Sequence, residues 1–548
     1  MTDPNLTWTY AAIWESIAAA QPDADAFIQG DEHLSWAEFD RQGDALAAYL
    51  VEAGLGRHAT VAAYMPNRPE YMTTYNAAIK AALTPININY RYTSGELEYL
   101  IDNSDAEAVV FDARYAGTIE EVRGSLDRVK CWIAVGADSD CPDWAARWED
   151  AIAKTPDARP FEAPWGRSND DMLMIYTGGT TGMPKGVMWR LSDLIAKGNY
   201  GANPLLGVPP LEKPEDAGPR AAAAVFKSRS LIAPPLMHGT GLLTAMAALV
   251  AGGTVLLLPD AKFSAEGLLD MAQQHKATRM TIVGEPFARP ILDALEAEPE
   301  RWDMTGVLLM TSSGAMWTRE TKLGLIKHMP NVNLMDAYSS SEALGMGMSV
   351  TNAQGETQTA RFEIGETCSV FTEDHRRVEP GSGEKGLLAV GGINPIGYYK
   401  DEEKTAKTFP VIEGERWCIP GDWAIVHADG SLEILGRGSQ CINTGGEKVF
   451  PEEVEEALRR HEAVNDVAVT GLPDPRWGER ICAVVELRSG AARPAEQELA
   501  DWVRGQLADY KTPRDFVFVD SVGRAPNGKL DYKAVKQIAL DAVGEQAA

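Results

Sequence analysis

The most constraining feature of the sequence is a repeated alternation of amphipathic helical patterns with short apolar runs rich in β-branched residues. Residues 34–54 have helical periodicity, with Ser35 as the predicted N-cap and Gly54 as the residue predicted to end the helix. A strand, a helix and a second strand are predicted next, at residues 59–65, 69–83 and 106–112. This order predicts βαβ units and a mostly parallel sheet.

The alternation recurs further along the chain, at residues 277–284, 306–314 and 331–339. Each of these segments ends in small or polar residues. Because open α/β sheets bind ligands beyond the carboxyl ends of their strands, these ends predict a ligand site. Residues 203–220 are rich in proline and glycine and interrupt the rhythm, so they predict an inserted surface loop.

The second half of the chain changes character twice. From about Gly365 the pattern becomes β-rich with glycine turns, and "HADGSLEIL" predicts a hairpin. Beyond residue 437 a compact segment of alternating helices and strands begins, with a helix predicted over 495–510. The predicted fold is α/β, with a large N-terminal domain (1–436) that contains βαβ-type sheets and a β-rich subdomain. A small, mobile α+β domain (437–548) follows it.

Composition excludes several classes of protein. The chain has 51 Lys and Arg against 79 Asp and Glu, a net charge of −28, which argues against nucleic acid or an anionic membrane as the main partner. No run reaches the roughly 18 apolar residues of a membrane-spanning helix, and the first residues do not form a secretory signal. The six cysteines form no C-x-x-C pair, so neither a disulfide framework nor a zinc site is predicted. These observations predict a reduced, cytoplasmic protein.

The segment "YTGGTTGMPKG" (176–186) is composed like neither a good helix nor a good strand. Its glycines let backbone N–H groups approach a ligand closely, while its hydroxyls and one ammonium suit phosphate. The residues that would do so are Thr177, Gly178, Gly179, Thr180, Thr181, Gly182 and Lys185. The spacing differs from the common G-x-x-x-x-G-K-[ST] loop. Composition alone therefore leaves a phosphate cradle and a flexible surface loop equally open.

"TGGTTGMPKGV" resembles the signature of the AMP-forming acyl-CoA synthetase (acyl-adenylate) superfamily. Four further blocks are similar to those of the family and occur in order: "YSSSE" at 338–342, Gly421–Asp422, "GRGSQCINTGGEKVFPEEVE" at 436–455 and "PNGKLD" with Gly528–Lys529. The resemblance covers nearly the whole chain and is closest to fatty-acyl and steroid side-chain CoA ligases. It implies a ligase that uses ATP, Mg²⁺ and CoA and forms an acyl-AMP intermediate.

The resemblance also implies roles for individual residues. Lys529 would bridge the acyl carboxylate and the α-phosphate, and Glu342 would bind Mg²⁺, a hard ion that prefers oxygen ligands. The other ATP contacts it implies are the α-phosphate for Ser341, the adenine for Gly314, Ala315, Asp336 and Tyr338, and the ribose for Asp422 and Arg437. His238 would lie between the acyl and nucleotide pockets and gate the carboxylate.

Most of these residues also fit a plainer structural role when they are considered without the resemblance. Lys529 follows an Asn-Gly turn, which is typical of a solvated hairpin. The corresponding roles are a helix N-cap for Ser341, a first-turn acid for Glu342, a core position for Tyr338, a turn residue for Asp422 and a satisfied wall histidine for His238.

The resemblance implies that the C-terminal domain rotates between two half-reactions. The hinge position carries Ser439, where the family usually has Asp or Lys, and a position that is commonly basic carries Asn443. Gly445 and Gly446 would allow the CoA thiol to pass, and Lys448 would meet a CoA phosphate. These departures affect the details of the C-terminal domain and leave the reaction unchanged.

The identity of the acid is read from three stretches that line the acyl pocket by family position: 239–248, 282–287 and 312–317. They are mostly small and apolar, which favours a fatty acid or a steroid side-chain acid; chain length is not predictable, since one methylene discriminates by only ~1–3 kcal/mol. A second interpretation is an adenylating enzyme for an amino or aryl acid that loads a carrier protein, which Glu285 leaves open. A third is a non-catalytic binding protein. The family includes homodimers, and the sequence leaves the oligomeric state open.

Overall fold

The computed structural model describes residues 6–154, 156, 159–179, 182–202, 208–259, 262–314, 319–353, 361–437, 442–445, 447–449, 451–523 and 532–546. Two compact units are present. The first contains residues 1–90, 101–176 and 186–435, and the second contains residues 91–100, 177–185 and 436–548. The domain boundary at residue 437 stays a prediction.

The helices and strands are numbered separately in chain order. Within the described residues the α-helices are α1 (Tyr10–Ala20), α2 (Trp36–Glu52), α3 (Pro69–Lys80), α4 (Ser94–Asn103), α5 (Ala116–Val122), α6 (Trp148–Ala153), α7 (Leu191–Lys197), α8 (Ala217–Ala223), α9 (Gly239–Val250), α10 (Ala265–Gln274), α11 (Glu285–Ala297), α12 (Arg319–His328), α13 (Glu402–Thr408), α14 (Pro451–Arg459), α15 (Glu496–Arg504) and α16 (Tyr532–Gln546).

An eight-stranded sheet is built largely from the first third of the chain, and six successive strands in it are parallel to one another. Its spatial order is β19 (Gly397–Tyr398), β9 (Gly182–Arg190), β8 (Met172–Gly179), β4 (Thr84–Asn87), β3 (Thr60–Tyr64), β5 (Ala106–Asp112), β6 (Cys131–Val135) and β7 (Ala146–Arg147). All five residues of β3 are buried, as expected for a parallel strand covered on both faces.

A thirteen-stranded sheet combines a parallel half with an antiparallel half. Its spatial order is β17 (Cys368–Phe371), β18 (Lys385–Val390), β22 (Asp422–Val426), β23 (Ser431–Arg437), β16 (Arg361–Ile364), β15 (Gly347–Thr351), β14 (Asn333–Tyr338), β13 (Leu309–Ser312), β12 (Arg279–Ile282), β10 (Arg229–Ile232), β11 (Thr254–Leu257), β1 (Asp25–Gln29) and β2 (Glu32–Ser35). Strands β14, β13, β12, β10, β11 and β1 are parallel to one another. The parallel half confirms the predicted βαβ organisation, and the antiparallel half is the predicted β-rich part.

The second unit contains an α+β structure. Its five-stranded sheet consists of β25 (Glu447–Val449), β24 (Ile442–Thr444), β27 (Gly478–Leu487), β26 (Val464–Asp474) and β28 (Asp515–Val519), and a separate two-stranded sheet in the first unit consists of β20 (Val411–Ile412) and β21 (Glu415–Arg416). Residues 91–100 belong to the second unit as well. There Lys511 donates to Glu96 at 2.6 Å, with both side chains almost completely buried.

Helix α2 shows how well local signals can determine an element. Ser35 has an extended backbone, and its Oγ accepts a hydrogen bond from the backbone N–H of Glu38 at 3.2 Å. The helix ends at Glu52, and Gly54 follows with a φ of +90°, in the left-handed region that favours glycine. Both predicted ends of the helix are confirmed.

Two predictions from local composition are wrong in their extent. Residues 203–220 do not form one surface loop, because helix α8 begins at Ala217 and packs against α1, where the N–H of Gly218 donates to Ser16 Oγ at 2.9 Å. Residues 203–207 lie outside the described part of the chain. The helix predicted over 495–510 ends at Arg504, and Gly505 follows it.

Candidate functional site

The segment between Tyr176 and Gly186 is mostly strand, which corrects the prediction that its composition suits neither a helix nor a strand. Strand β8 continues to Gly179 and β9 begins at Gly182, so the segment is a hairpin rather than an open loop. Thr177 and Lys185 are half-buried. The tip of this hairpin, Thr180 and Thr181, lies outside the described residues.

Gly186, the residue after Lys185, is required by close packing. A methyl group on its Cα would lie 2.7 Å from Cε2 of Tyr176, which is nearer than side chains tolerate. The carbonyl of Gly186 accepts a hydrogen bond from the backbone N–H of Tyr399 at 2.8 Å. The strand that leaves the hairpin is therefore held on one side by Tyr176 and on the other by the chain at β19.

Asn87 connects the hairpin to the loop before α9, and the sequence interpretation missed it. Its side chain accepts from the N–H of Tyr176 at 2.7 Å and donates to the Tyr176 carbonyl at 2.9 Å. The same amide donates to the carbonyl of Met237 at 2.6 Å. Met237 precedes His238, so one buried amide orders both the strand before the glycines and the residue before the histidine. An asparagine at the end of an apolar strand was the available signal.

The start of α9 lies beside the carboxyl ends of the parallel strands. His238 has an extended backbone at the N-cap position and is half-buried. A methyl group on Gly239 would lie 3.6 Å from Ser341 Oγ, and one on Gly314 would lie 3.5 Å from Val283 Cγ1. The structure thus gathers the predicted residues of α9, β13 and the segment after β14 at one edge of the sheet, as the strand ends predicted.

Asp336 has a charged partner that the sequence interpretation did not foresee. Lys322, a buried residue of α12, donates a short hydrogen bond to Asp336 Oδ2. Asp336 lies in β14 opposite Ser312 of β13, whose hydroxyl accepts from the N–H of Gly284 at 2.9 Å. The ammonium of Lys322 gives the carboxylate at the strand end a fixed orientation.

Tyr338 is the last residue of β14 and is half-buried, and it packs against the main hydrophobic core, so the plainer core role is confirmed in part. Its ring packs against Phe362 of β16, with centroids 5.4 Å apart and planes inclined by 48°. One side of the ring is thereby supported by a neighbouring aromatic residue. A supported, partly exposed ring at a strand end is suited to stacking on a planar ligand.

Ser341 and Glu342 lie in neither a helix nor a strand, so the helix N-cap and first-turn roles are wrong. Two donors hold their backbone: the indole N–H of Trp189 bonds to the Ser341 carbonyl at 2.8 Å, and the Cys418 thiol bonds to the Glu342 carbonyl at 3.2 Å. Trp189 belongs to β9, the second strand of the hairpin. The turn that carries the candidate metal ligand is therefore fixed by side chains from distant elements.

The carboxylate of Glu342 is buried and hydrogen-bonded. The phenol of Tyr398 donates to Glu342 Oε1 at 2.8 Å. Burial, reinforced by the charge of Glu342, raises the pKa of Tyr398, so the phenol is a neutral donor at physiological pH. A carboxylate held in this way supplies an oxygen ligand of the kind that Mg²⁺ prefers, so the residues present fit the ion.

Asp422 is buried at the first position of β22, after Gly421 with a φ of +100°. Arg437 ends β23, and only its backbone is described. In the second unit, Gly445 has a φ of +60°, and a methyl group on it would lie 2.8 Å from the ring of Trp477. Glycine is therefore required there for close approach, and Trp477 is a residue that the sequence interpretation missed.

Some predicted site residues lie outside the part of the chain that the structure describes. They are Ala315, Ser439, Gly446 and Lys529, together with the side chain of Lys448.

Five of the six cysteines are described, and all five are free thiols. Among the described residues, no helix combines the length and the apolar character that crossing a bilayer demands.

Known proteins are similar to this chain over nearly its whole length. Residues 14–399 match the family model of AMP-binding enzymes, and residues 453–529 match that of the AMP-binding enzyme C-terminal domain. A medium/long-chain-fatty-acid–CoA/3-oxocholest-4-en-26-oate–CoA ligase of Mycobacterium marinum is 40% identical, covering 96% of both chains. A 3-oxocholest-4-en-26-oate–CoA ligase of Rhodococcus rhodochrous is 38% identical over 94% of this chain and 93% of its own.

Two solved structures are similar in fold. The amide bond synthetase McbA from Marinactinospora thermotolerans has a TM-score of 0.78 at 23% identity, covering 97% of this chain and 99% of that one. A Mycobacterium tuberculosis fatty acyl CoA synthetase has a TM-score of 0.64 at 21% identity, covering 96% and 98%. Both are similar to this chain in the arrangement of a large α/β part and a small C-terminal part.

Proposed function

Because the chain belongs to the AMP-binding enzyme family, we propose that it is an ATP-dependent acyl-CoA ligase for a hydrophobic carboxylic acid. The observation that carries this proposal is the 40% identity, over 96% of both chains, to a relative named as a fatty-acid and steroid side-chain CoA ligase. The co-substrates are ATP and CoA, and Mg²⁺ is the metal. A cytoplasmic location, where ATP and CoA are abundant, is part of the proposal.

The reaction proceeds in two steps. A carboxylate oxygen of the acid bonds to the α-phosphorus of ATP, the bond from that phosphorus to the bridging oxygen breaks, and pyrophosphate leaves. The thiolate of CoA then bonds to the acyl carbon, and AMP leaves with the electron pair of the carbon–oxygen bond. The first step requires neutralisation of phosphate charge and alignment of the carboxylate, and the second requires access for the thiol.

Each proposed site residue has its own part in this work. Lys185 and the hairpin backbone bind the phosphates, Tyr338 stacks on the adenine, and Asp422 accepts from the ribose hydroxyls. Glu342 would hold Mg²⁺, which would supply positive charge to the phosphates. Lys529 aligns the carboxylate with the α-phosphorus, and His238 borders the acyl pocket.

The nature of the acid is proposed from the apolar character of the pocket stretches. In α9, Leu242, Ala245 and Met246 pack within the hydrophobic core, the neighbouring Leu243 and Thr244 are half-buried, and Val283 follows β12 at the strand edge. Residues 315–317 and the side chain of Glu285 lie outside the described part. A long aliphatic or steroid-derived acid suits such surroundings, because apolar burial is the main favourable term there.

One experiment tests the reaction and the acid together. The purified protein is incubated with ATP and Mg²⁺, with octanoate, palmitate, a steroid side-chain acid, benzoate or alanine, each with and without CoA. We expect CoA-dependent release of AMP with the first three acids. Pyrophosphate exchange driven by benzoate or alanine without CoA turnover would favour an adenylating enzyme for a carrier protein. Neither product with any acid would favour a binding protein.

The oligomeric state is a separate question with a separate measurement. The family resemblance admits a homodimer, which size-exclusion chromatography with light scattering distinguishes from a monomer of 59.4 kDa. We expect the activity to be independent of the outcome, because every residue proposed for the site belongs to one chain.

A further inference from the structure

We propose that Tyr398 is a positioning residue that couples the phosphate-binding hairpin to the metal ligand Glu342. The inference rests on the proposed function, since it assigns a role in binding Mg²⁺ and ATP. Tyr398 lies outside every sequence block that suggested the function. Its phenol donates to Glu342 Oε1 at 2.8 Å, and both residues are buried.

The orientation of Tyr398 is fixed by contacts to its backbone and to its ring. Its backbone N–H donates to Thr405 Oγ1 at 2.9 Å, and its ring lies 6.0 Å from that of Phe409. The ammonium of Lys404 lies 4.4 Å from the ring centroid. A donor whose own orientation is fixed can in turn fix the carboxylate that accepts from it.

Tyr398 is also part of the strand that pairs with the hairpin. In the antiparallel pair of β19 and β9, Tyr398 lies opposite Val187. The N–H of Ile396 bonds to the Met188 carbonyl, and that of Tyr399 bonds to the carbonyl of Gly186, both at 2.8 Å. Gly186 directly follows Lys185. Backbone hydrogen bonds thus connect Tyr398 to the end of the phosphate-binding segment, and its hydroxyl connects that strand to Glu342.

A second contact joins the same two elements. Trp189, two residues beyond Val187 in β9, donates from its indole to the Ser341 carbonyl at 2.8 Å. The turn at 341–342 is therefore bonded to β9 directly through Trp189 and to β19 through Tyr398. This arrangement fixes the metal ligand relative to residues 186–189 of β9, which directly follow the phosphate-binding segment, and such preorganisation would favour binding of ATP together with Mg²⁺.

A purely structural role for Tyr398 makes a different prediction. A buried hydrogen bond that only stabilises the fold would affect heat unfolding and leave the dependence on Mg²⁺ unchanged. Tyr399 offers a matched control, because it is the adjacent residue and its phenol donates to a carboxylate, Asp105 Oδ2, at 2.7 Å. Tyr398→Phe and Tyr399→Phe each remove one hydroxyl from a similar hydrogen bond, and only the first touches Glu342.

The test measures ATP binding to the full-length protein by calorimetry, with excess Mg²⁺ and with EDTA, and the Mg²⁺ dependence of pyrophosphate exchange. For Tyr398→Phe we expect affinity for ATP with Mg²⁺ to fall roughly 10- to 100-fold, and the half-saturating Mg²⁺ concentration to rise by a similar factor. Affinity for ATP in EDTA should change less than twofold. Tyr399→Phe should match the wild type in all three measurements.

Three outcomes would contradict the inference. Equal Mg²⁺ dependence in the two variants would assign Tyr398 to stability alone. Equal losses with Mg²⁺ and with EDTA would show that the nucleotide site as a whole was disturbed. A wild-type protein that binds no ATP in the presence of Mg²⁺ would contradict the proposed function itself, and with it the premise of this inference. Heat-unfolding midpoints of both variants show whether each is folded.

Discussion

Two lysines carry different parts of the proposed chemistry. Lys185 lies in β9 beside a backbone fixed by Tyr176 and Tyr399, which suits it to hold phosphates in one position. Lys529 follows the dipeptide Asn-Gly far along the sequence, and the family resemblance gives it the alignment of the carboxylate with the α-phosphorus. An ammonium that acts only in the first step should be dispensable for the second.

Replacing Lys529 by alanine should separate the two half-reactions. We expect acyl-AMP formation to fall at least about 100-fold, because a cation that aligns the reacting groups is lost. Conversion of synthetic acyl-AMP and CoA to acyl-CoA should stay within about threefold of wild type. Single-turnover measurements of each step are the readout, with Lys536→Ala, a partly exposed lysine of α16 paired with Glu479, as control. Equal losses in both steps would contradict the assignment.

At the scale of single elements, helix α9 depends on a close approach to the chain before it. A methyl group on Gly241 would lie 2.3 Å from the carbonyl oxygen of Pro235, a contact with rigid backbone. On Gly239, two residues earlier, the nearest atom would be Ser341 Oγ at an ordinary 3.6 Å. In the first turn of the helix, close packing therefore requires glycine at position 241, whereas position 239 has room for a methyl group.

Gly241→Ala should therefore destabilise the protein, and Gly239→Ala should not. We expect the first variant to lose about 1–3 kcal/mol of unfolding free energy, because overpacking against backbone forces the helix to move. The second should stay within about 0.5 kcal/mol of wild type. Urea unfolding monitored by circular dichroism compares the two. Indistinguishable midpoints would show that the helix shifts without cost.

Helices α1, α2 and α3 are connected by one fully buried ammonium. Lys80 of α3 lies 2.8 Å from Glu15 and Asp40 and 2.6 Å from Asp44. These three carboxylates are close enough together to hold a metal ion, but the ammonium already supplies positive charge to all of them. Burial by itself lowers the pKa of Lys80, yet the three negative charges outweigh that effect and raise it. We therefore assign the cluster to stability.

Lys80→Met should cost up to about 3–5 kcal/mol of unfolding free energy at pH 7, because it removes the fully buried cation and leaves the three carboxylates only Arg159 and Arg167 as counter-ions. The raised pKa means that the contribution of Lys80 is complete below the usual lysine value of 10.5 and is lost only at higher pH. Burial raises the pKa of Asp40, so protonation relieves the variant as the pH falls towards 4.

Urea unfolding at pH 4.5, 7 and 9 measures this dependence. The difference between wild type and Lys80→Met should be similar at pH 7 and 9 and smaller at pH 4.5. Lys154→Met provides the control, since its pair with Glu52 is exposed and worth at most about 1 kcal/mol. A difference that does not change with pH would mean that lost packing, rather than uncompensated charge, causes the effect.

At the scale of the whole molecule, the family resemblance implies a different arrangement of the C-terminal segment for each half-reaction. The hinge predicted at Ser439 has no charge that would hold one arrangement, and Gly438 beside it gives backbone freedom. Ser439→Pro restricts φ to about −65°. We expect acyl-AMP formation within about threefold of wild type and thioester formation reduced by at least about tenfold. Rapid-quench measurements of both steps, with Ser439→Ala as the control, test this; an unchanged thioester rate would move the hinge elsewhere.

Much of the fold follows from the sequence because its signals are local. Helix α2 has its cap residue, its periodicity and its terminal glycine within about twenty residues, and both predicted ends are confirmed. The parallel strands β12, β13 and β14 are likewise recognisable from short apolar runs. Helix α8 shows the limit, because the sequence from residue 217 to 220 looks like a loop, yet it is helical and packs against α1, some two hundred residues earlier.

Some features of the candidate site follow from the sequence, and others only from the tertiary structure. By itself, the sequence determined the α/β class and the family, and it predicted site residues such as Glu342, because these depend on patterns within short segments. Only the tertiary structure decided that Tyr398 contacts Glu342, that Lys322 contacts Asp336 and that Asn87 joins β8 to the loop before α9. Tyr398 and Lys322 carry no local signal, and the strand-end position of Asn87 does not identify its partners, because a hydrogen bond between residues distant in the chain depends on where the sheets bring their ends together.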